Sequence, residues 1–281
     1  MVKLSFSVAT LSLLLLSACT SDDTAVSMEH QPQSIRIAAA ANLSDVLPKI
    51  IDGYEATLID KGLPAQTIDI TYASSGKLYA QIKAGAPYDI FLSANQAFPA
   101  TLYQDNLANN RESTAAIDNP YATPFTYTQG QLALYSTTKA IDTLNPVDLV
   151  EALTAQGNSK ITIANPDLAP YGESARAYLQ SQQIYDTLVA NKRLIQAENI
   201  GQAFQYAYTG SVDYGFVAQS QLVSSNTSNQ QFYTLPSTTY PAILQDGIVI
   251  SDTALATDFS RYIQSAAGQQ YFIQAGYLAV K

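Results

Sequence analysis

Three stretches of this chain place small, hydroxyl or amide residues where a strand should give way to a helix. The first runs from Ala40 through Ala41 and Asn42 to Asp45. The second runs from Ala73 through Ser74, Ser75 and Gly76 to Leu78. The third runs from Asn165 through Pro166, Ala169 and Pro170 to Tyr171 and Gly172. A helix start exposes N–H groups with no internal acceptor and the positive end of the helix dipole, so it is a ready place for an anion. Ser and Asn at such positions more often serve as simple caps. Three such junctions in one chain, rather than any one of them, are what point to an anion site. Lys77 follows the second junction and offers a positive charge, although a Lys beside a helix start is usually solvated.

Other chemistries find little support. Ser75 lacks a partner base for nucleophilic catalysis, because His30 is the only His and lies in a polar stretch near the N-terminus. Asp45 and Asp89 are scattered carboxylates rather than a pair. An amino-acid binder needs an Arg for the carboxylate, and Arg176 alone lies near a candidate loop. A net charge of −9 with 13% charged residues disfavours nucleic acid, which calls for basic patches. A sulfate or phosphate binder, a surface adhesin and an enzyme remain as rival classes.

The elements that must hold these junctions alternate along the chain. Ser34 to Ala40, Thr67 to Ala73 and Tyr88 to Ala94 read as strands. Leu43, Val46, Leu47, Ile50, Ile51 and Tyr54 fall on one helical face, with Asn42 as cap and Pro48 tolerable only in a first turn. Helices are expected over Lys77 to Ala84 and Gln96 to Asn106. After Asn119 and Pro120 the pattern restarts. Strands are expected at Gln131–Tyr135, Lys160–Ala164, Leu194–Gln196 and Asp213–Val217, and helices at Pro146–Leu153, Glu173–Gln183 and Gly201–Tyr208. Ser224 to Gln231 reads as a surface loop. An apolar stretch from Pro241 to Ile250 precedes two amphipathic helices. Alternation of this kind makes parallel sheets flanked by helices. The late elements suggest two α/β lobes, with the chain's end returning to the first.

The N-terminus carries its own signal. Lys3, an apolar run over Leu4 to Leu16, and then Ser17, Ala18 and Cys19 match a lipoprotein export signal. The run falls short of the roughly 20 residues a membrane span needs. Residues 1–18 are expected to be a signal peptide. Cys19, the only cysteine, is the expected lipidation site, and 19–33 is an expected disordered tether.

Taken together, these stretches resemble the periplasmic molybdate-binding family almost end to end. The resemblance is carried by Ala38 to Leu43, Tyr72 to Leu78, Ile82 to Asn95, Asn165–Pro166 with Pro170 to Gly172, Glu198 to Ile200, Gly215 to Ala218, and Gly276–Tyr277. It implies a two-lobe periplasmic binding fold of type II, with lobe one at 34–126 and 238–281, lobe two at 127–237, and the ligand cleft between them. It implies no enzymatic activity and no cofactor, but capture of molybdate or tungstate for an ABC transporter permease and its ATPase. The implied setting is the periplasm or cell surface, with a lipid-anchored monomer and no nucleic-acid partner. By position, Asn42 and Ser75 are the implied first-lobe ligands, each through side chain and backbone N–H. Tyr171 and Ile200 are the implied second-lobe ligands, through backbone N–H only, so loss of the Tyr171 hydroxyl should matter much less than loss of the Ser75 hydroxyl. Ala218 stands where some members carry a Tyr that reaches the anion, and Asn42 replaces a Ser common in others.

Overall fold

The computed structural model describes residues 33–112, 121–141, 146–155 and 159–280. The expected signal peptide, Cys19, His30, nearly all of the expected tether and the Asn119–Pro120 restart lie outside them. Residues Pro32–Lys281 form one unit containing two five-stranded sheets.

The first sheet begins with β1 (Ser34–Ala40), β2 (Thr67–Ala73) and β3 (Ile90–Leu92), all parallel. It is completed by β4 (Phe125–Gly130) and by β10 (Ile243–Val249), which runs antiparallel to both β3 and β4, giving the order β2-β1-β3-β10-β4. The second sheet holds β5 (Leu132–Tyr135), β6 (Ile161–Ala164), β7 (Leu194–Ala197), β8 (Tyr214–Ala218) and β9 (Phe232–Thr234), in the order β7-β6-β8-β5-β9. Here β5 is the strand that runs against its neighbours. The two sheets thus share one plan: three parallel strands with the first in the middle, then one reversed strand, then an edge.

Helices cover both faces of the first sheet. On one side lie α1 (Leu47–Asp60), α9 (Ala254–Gln264) and α10 (Ala266–Gln274); Leu47, Ile50, Tyr54, Phe259 and Phe272 pack there against Ile35, Ile37 and Leu92. On the other lie α2 (Ser75–Lys83) and α3 (Ala97–Glu112), with Leu78, Ile82 and Leu102 against Ala38 and Phe91. The second sheet is covered by α4 (Pro146–Thr154), α5 (Pro170–Ser181) and α6 (Tyr185–Ala190) in one cluster. Its other cluster is formed with α7 (Ile200–Tyr208) and α8 (Gln219–Ser224). Each fully buried Leu, Ile or Phe contributes about 1.5–3 kcal/mol, so these apolar faces fix which side of each helix turns inward.

Several elements differ from the sequence expectation. Asn42 does not cap α1: it lies inside a 3-10 turn, Ala41–Leu43, and α1 starts at Leu47 so that Pro48 falls in its first turn. The physical reason is the proline, which a helix interior does not accept. Leu43 and Val46 are buried all the same. β4, β9, α6 and α8 were not foreseen, and α5 begins at Pro170, bringing Tyr171 into its first turn. β4 was hidden because its buried residues are polar or aromatic: Tyr127 and Thr128 are both fully buried. With β4 in the first sheet, the chain changes sheets between Gly130 and Leu132, not at 126–127. It returns between Thr234 and Ile243.

Candidate functional site

Five strand ends converge on one small cavity. The turns after β1, β2 and β3 bring Ala40 to Asn42, Ala73 to Ser75, and Ala94; the turns after β6 and β7 bring Ala169 to Tyr171, Asn199 and Ile200. These are the carboxyl ends of parallel strands, where open α/β sheets bind ligands. All four residues singled out by the sequence, Asn42, Ser75, Tyr171 and Ile200, line this one cavity. Lys77 and Arg176 do not. Lys77 pairs with Glu198 at 2.6 Å on the exposed rim, and Arg176 pairs with Asp167 at 3.1 Å.

No charged side chain lines the cavity; its wall is made of neutral hydroxyl, amide and backbone groups. Ser75 is the first residue of α2 and Ile200 the first of α7, while Tyr171 follows Pro170 at the start of α5. N–H groups in a first turn have no acceptor within their own helix. The Ser75 hydroxyl oxygen accepts the Ala94 N–H at 2.9 Å, which leaves its proton to give. Ser74 was not foreseen as a site residue. Its hydroxyl is buried, lines the cavity, and has no partner among the described residues. The doubled Ser at 74–75 is the sequence signal that marks it. Asn199, also on the lining, is occupied: its side chain accepts the Gln202 N–H at 3.0 Å and so caps α7.

The cavity leaves about 10 Å³ for the centre of a water-sized sphere. Adding the sphere's own radius of about 1.4 Å gives a body roughly 5–6 Å across. That is room for one small polyatomic ion. Close backbone approach keeps it small. A Cβ on Gly172 would meet the Ala164 carbonyl oxygen at 2.1 Å, so α5 sits tight against the end of β6.

Behind the lining lies a buried polar cluster. Asn42 Nδ2 donates to Gln245 Oε1 at 2.9 Å and to the Tyr277 hydroxyl at 3.0 Å, while Tyr277 donates to the Asn42 carbonyl at 2.8 Å. Gln245 Nε2 donates to the Tyr171 hydroxyl at 3.2 Å, and the Tyr127 hydroxyl lies 3.1 Å from Gln245 Oε1 and 2.9 Å from the Ser93 carbonyl. The Tyr171 ring is therefore not idle. Its hydroxyl crosses from the second lobe to a first-lobe strand, a contact separate from the backbone N–H expected at the anion. Gly130 makes room for it, since a Cβ there would lie 2.2 Å from that oxygen. Burial pushes the Tyr277 hydroxyl up to about 12 and those of Tyr127 and Tyr171 well above the usual phenol value. All three stay protonated near neutrality.

The lobes also meet at the rim, where the Gly76 N–H donates to the Leu168 carbonyl at 2.8 Å. Ala218 is fully buried and absent from the lining. The Gln221 side chain ties its N–H, at 3.0 Å, to the Ile200 carbonyl, at 3.2 Å. Among the described residues no cluster of His, Cys, Asp or Glu suits a metal ion, and no helix is long and apolar enough to cross a membrane.

Comparison with known proteins places this architecture. Residues 35–278 match the profile of the family described as bacterial extracellular solute-binding protein. The molybdate-binding protein ModA of Rhodobacter capsulatus is 29% identical over 218 residues, 75% of this chain and 77% of that protein. The putative ABC transporter substrate-binding lipoprotein YvgL of Bacillus subtilis is 27% identical over 98% of this chain and 97% of its own length. Among solved structures, the periplasmic molybdate-binding protein of Azotobacter vinelandii superposes with a TM-score of 0.73 at 27% identity, covering 88% of this chain and all of that one. A chain with two helix-flanked five-stranded sheets, a small donor-lined cavity at their strand ends, and a family match from 35 to 278 belongs to the bacterial extracellular solute-binding proteins.

Proposed function

We propose that this protein captures molybdate or tungstate outside the cytoplasm and delivers it to the permease of an ABC transporter. The observation that carries the reading is the cavity itself: the size of one tetrahedral oxyanion, lined by neutral donors and by no carboxylate. Hydrogen bonds to a charged acceptor contribute about 1.5–3 kcal/mol each, so a few of them hold a dianion without a cationic side chain. Asn42 and Ser75 supply donors from the first lobe, and the first-turn N–H groups of Tyr171 and Ile200 supply them from the second. A rigid ring of donors selects by fit. Molybdate and tungstate, nearly equal in size, are held alike, while the smaller sulfate is held poorly. The relatives named as molybdate-binding support this ligand class.

Calorimetric titration of the purified protein with molybdate, tungstate, sulfate and phosphate tests the reading. Molybdate and tungstate should bind with similar affinity, and sulfate at least about 100-fold more weakly, a gap of about 3 kcal/mol. Equal binding of sulfate would replace the reading with a sulfate carrier. Membrane attachment through acylated Cys19 belongs to the same proposal, supported by the Leu16 to Cys19 pattern and by the lipoprotein relative. Labelled palmitate should enter the wild type in its host and not Cys19→Ala; an unlabelled wild type refutes it.

A further inference from the structure

The Asn42 amide presents a conflict. Both of its protons point away from any ligand, toward Gln245 and Tyr277, while Asn42 Oδ1 is buried with no partner among the described residues. A buried acceptor left unpaired is costly, and a carbonyl oxygen facing an anion repels it. The next amide along has the matching property. Gln245 is fully buried on β10, and its two ends touch Asn42 and Tyr127 on one side and Tyr171 on the other.

The two ends of a planar amide are nearly isosteric, so the same heavy-atom positions serve two hydrogen-bond patterns. Turning Asn42 and Gln245 together reverses the chain of donors and keeps the contacts. The Tyr171 O–H then donates to the Gln245 oxygen at 3.2 Å. Gln245 N–H groups donate to the Asn42 oxygen at 2.9 Å and to Tyr127 at 3.1 Å, and Tyr127 goes on donating to the Ser93 carbonyl at 2.9 Å. Tyr277 shares its one proton between the two Asn42 oxygens, 2.8 Å and 3.0 Å away. The end of Asn42 that lacked a partner is now an NH2 group, a donor without an acceptor, on a residue that lines the cavity.

We infer that Gln245 is a positioning residue for the anion site: it turns the Asn42 amide donor-outward when an oxyanion is bound and ties that turn to the Tyr171 hydroxyl of the opposite lobe. The inference rests on the oxyanion reading of the cavity. Neither Asn42 nor Gln245 can reverse alone, because two oxygens or two NH2 groups would then face each other at 2.9 Å. The anion supplies the acceptor that the outward pattern needs, and Tyr171, in the loop that also offers its N–H, is bound in the same event. Sensing of the ligand and contact between the lobes are thereby one hydrogen-bonded unit.

The test is a set of cycles built on Gln245→Met, which keeps the volume and removes both polar ends, with molybdate as probe. Gln245→Met should weaken molybdate about 10- to 150-fold, the loss of one bond to a charged acceptor. In an Asn42→Ala background the same change should cost less than about threefold, because its action runs through Asn42. Losses that multiply independently would show a merely structural role and overturn the inference. If Gln245→Met fails to fold, Tyr171→Phe, which removes one oxygen at the far end, takes its place in the same cycle. If the wild type binds none of molybdate, tungstate, sulfate and phosphate, the oxyanion reading has failed, and the relay is judged by urea unfolding alone. Asn42→Ala and Tyr171→Phe should then couple by at least about threefold in the unfolding constant, and that coupling should vanish in Gln245→Met. Its absence refutes the relay.

Discussion

Replacing Ser75 with Ala separates a ligand from a brace, because the structure gives the side chain both jobs. The hydroxyl oxygen accepts the Ala94 N–H at 2.9 Å, and the residue is 1% exposed. Its proton is free for an anion in the cavity it lines. Ser75→Ala thus deletes a donor to a charged acceptor, worth about 1.5–3 kcal/mol, or roughly 10- to 150-fold in molybdate affinity. It also strands a buried backbone N–H, which costs about 1–3 kcal/mol of folding stability with no ligand present. Calorimetry reads the first loss and urea unfolding of the ligand-free protein the second. A stability loss with affinity within about twofold of wild type would falsify the ligand role and leave Ser75 as a brace for the turn after β3.

Four further outcomes are expected. Molybdate affinity should stay within about twofold from roughly pH 6 to 8.5, with proton uptake near zero in buffers of different ionisation enthalpy, because amides, hydroxyls and backbone N–H groups do not titrate there; uptake of one proton per anion refutes the neutral-donor site. In alkali the sign is set by the buried tyrosines. Below about pH 10 they are protonated in both states, so stability is full. Above that the unfolded chain loses protons that the folded one keeps, with Tyr72, Tyr178 and Tyr277 raised to about 12. Stability should fall steadily from pH 10 to 12, read as a falling urea midpoint; a midpoint that stays level across that range contradicts the buried phenols. Gly172→Ala should destabilise by about 1–3 kcal/mol or more, read as a lower urea midpoint, since its Cβ would meet backbone at the end of β6; an unchanged midpoint contradicts that packing. Lys77→Ala should shift molybdate affinity by less than about threefold, because an ion pair this exposed is screened by water and salt; a larger loss makes the rim pair part of the site.

The cavity-lining turns are legible in the sequence because they are marked by position along the chain rather than by rare residues. Asn42, Ser75 and Tyr171 lie in strand-to-helix turns that the flanking periods mark, whereas Ile200 is named only through the family resemblance; the fold sets all four on one cavity. The supports were not legible. Gln245 stands with Asp246 as a short polar break in an otherwise apolar strand, between Leu244 and Ile248, and nothing local tells what it touches. Only the fold brings it to Asn42, 203 positions earlier. β4 was missed for a related reason: Tyr127 and Thr128 look like surface residues until their partners on β10 and at Leu278 are in place. Local patterns mark most of the turns that line the cavity; long-range polar contacts, which leave no period, hold them in place.

The cavity wall is divided, with Ala40 to Asn42, Ala73 to Ser75 and Ala94 on one lobe and Ala169 to Tyr171, Asn199 and Ile200 on the other. Neither half encloses the space alone. A binding constant measured for such a wall is an intrinsic constant divided by the fraction of molecules in which the halves are together. Two proteins with the same ring of donors can therefore differ many-fold in apparent affinity through residues that never approach the ligand, such as those at Gly130–Leu132, where the chain passes between sheets. Affinity in this architecture can drift under selection while specificity, written in the ring, stays where it is.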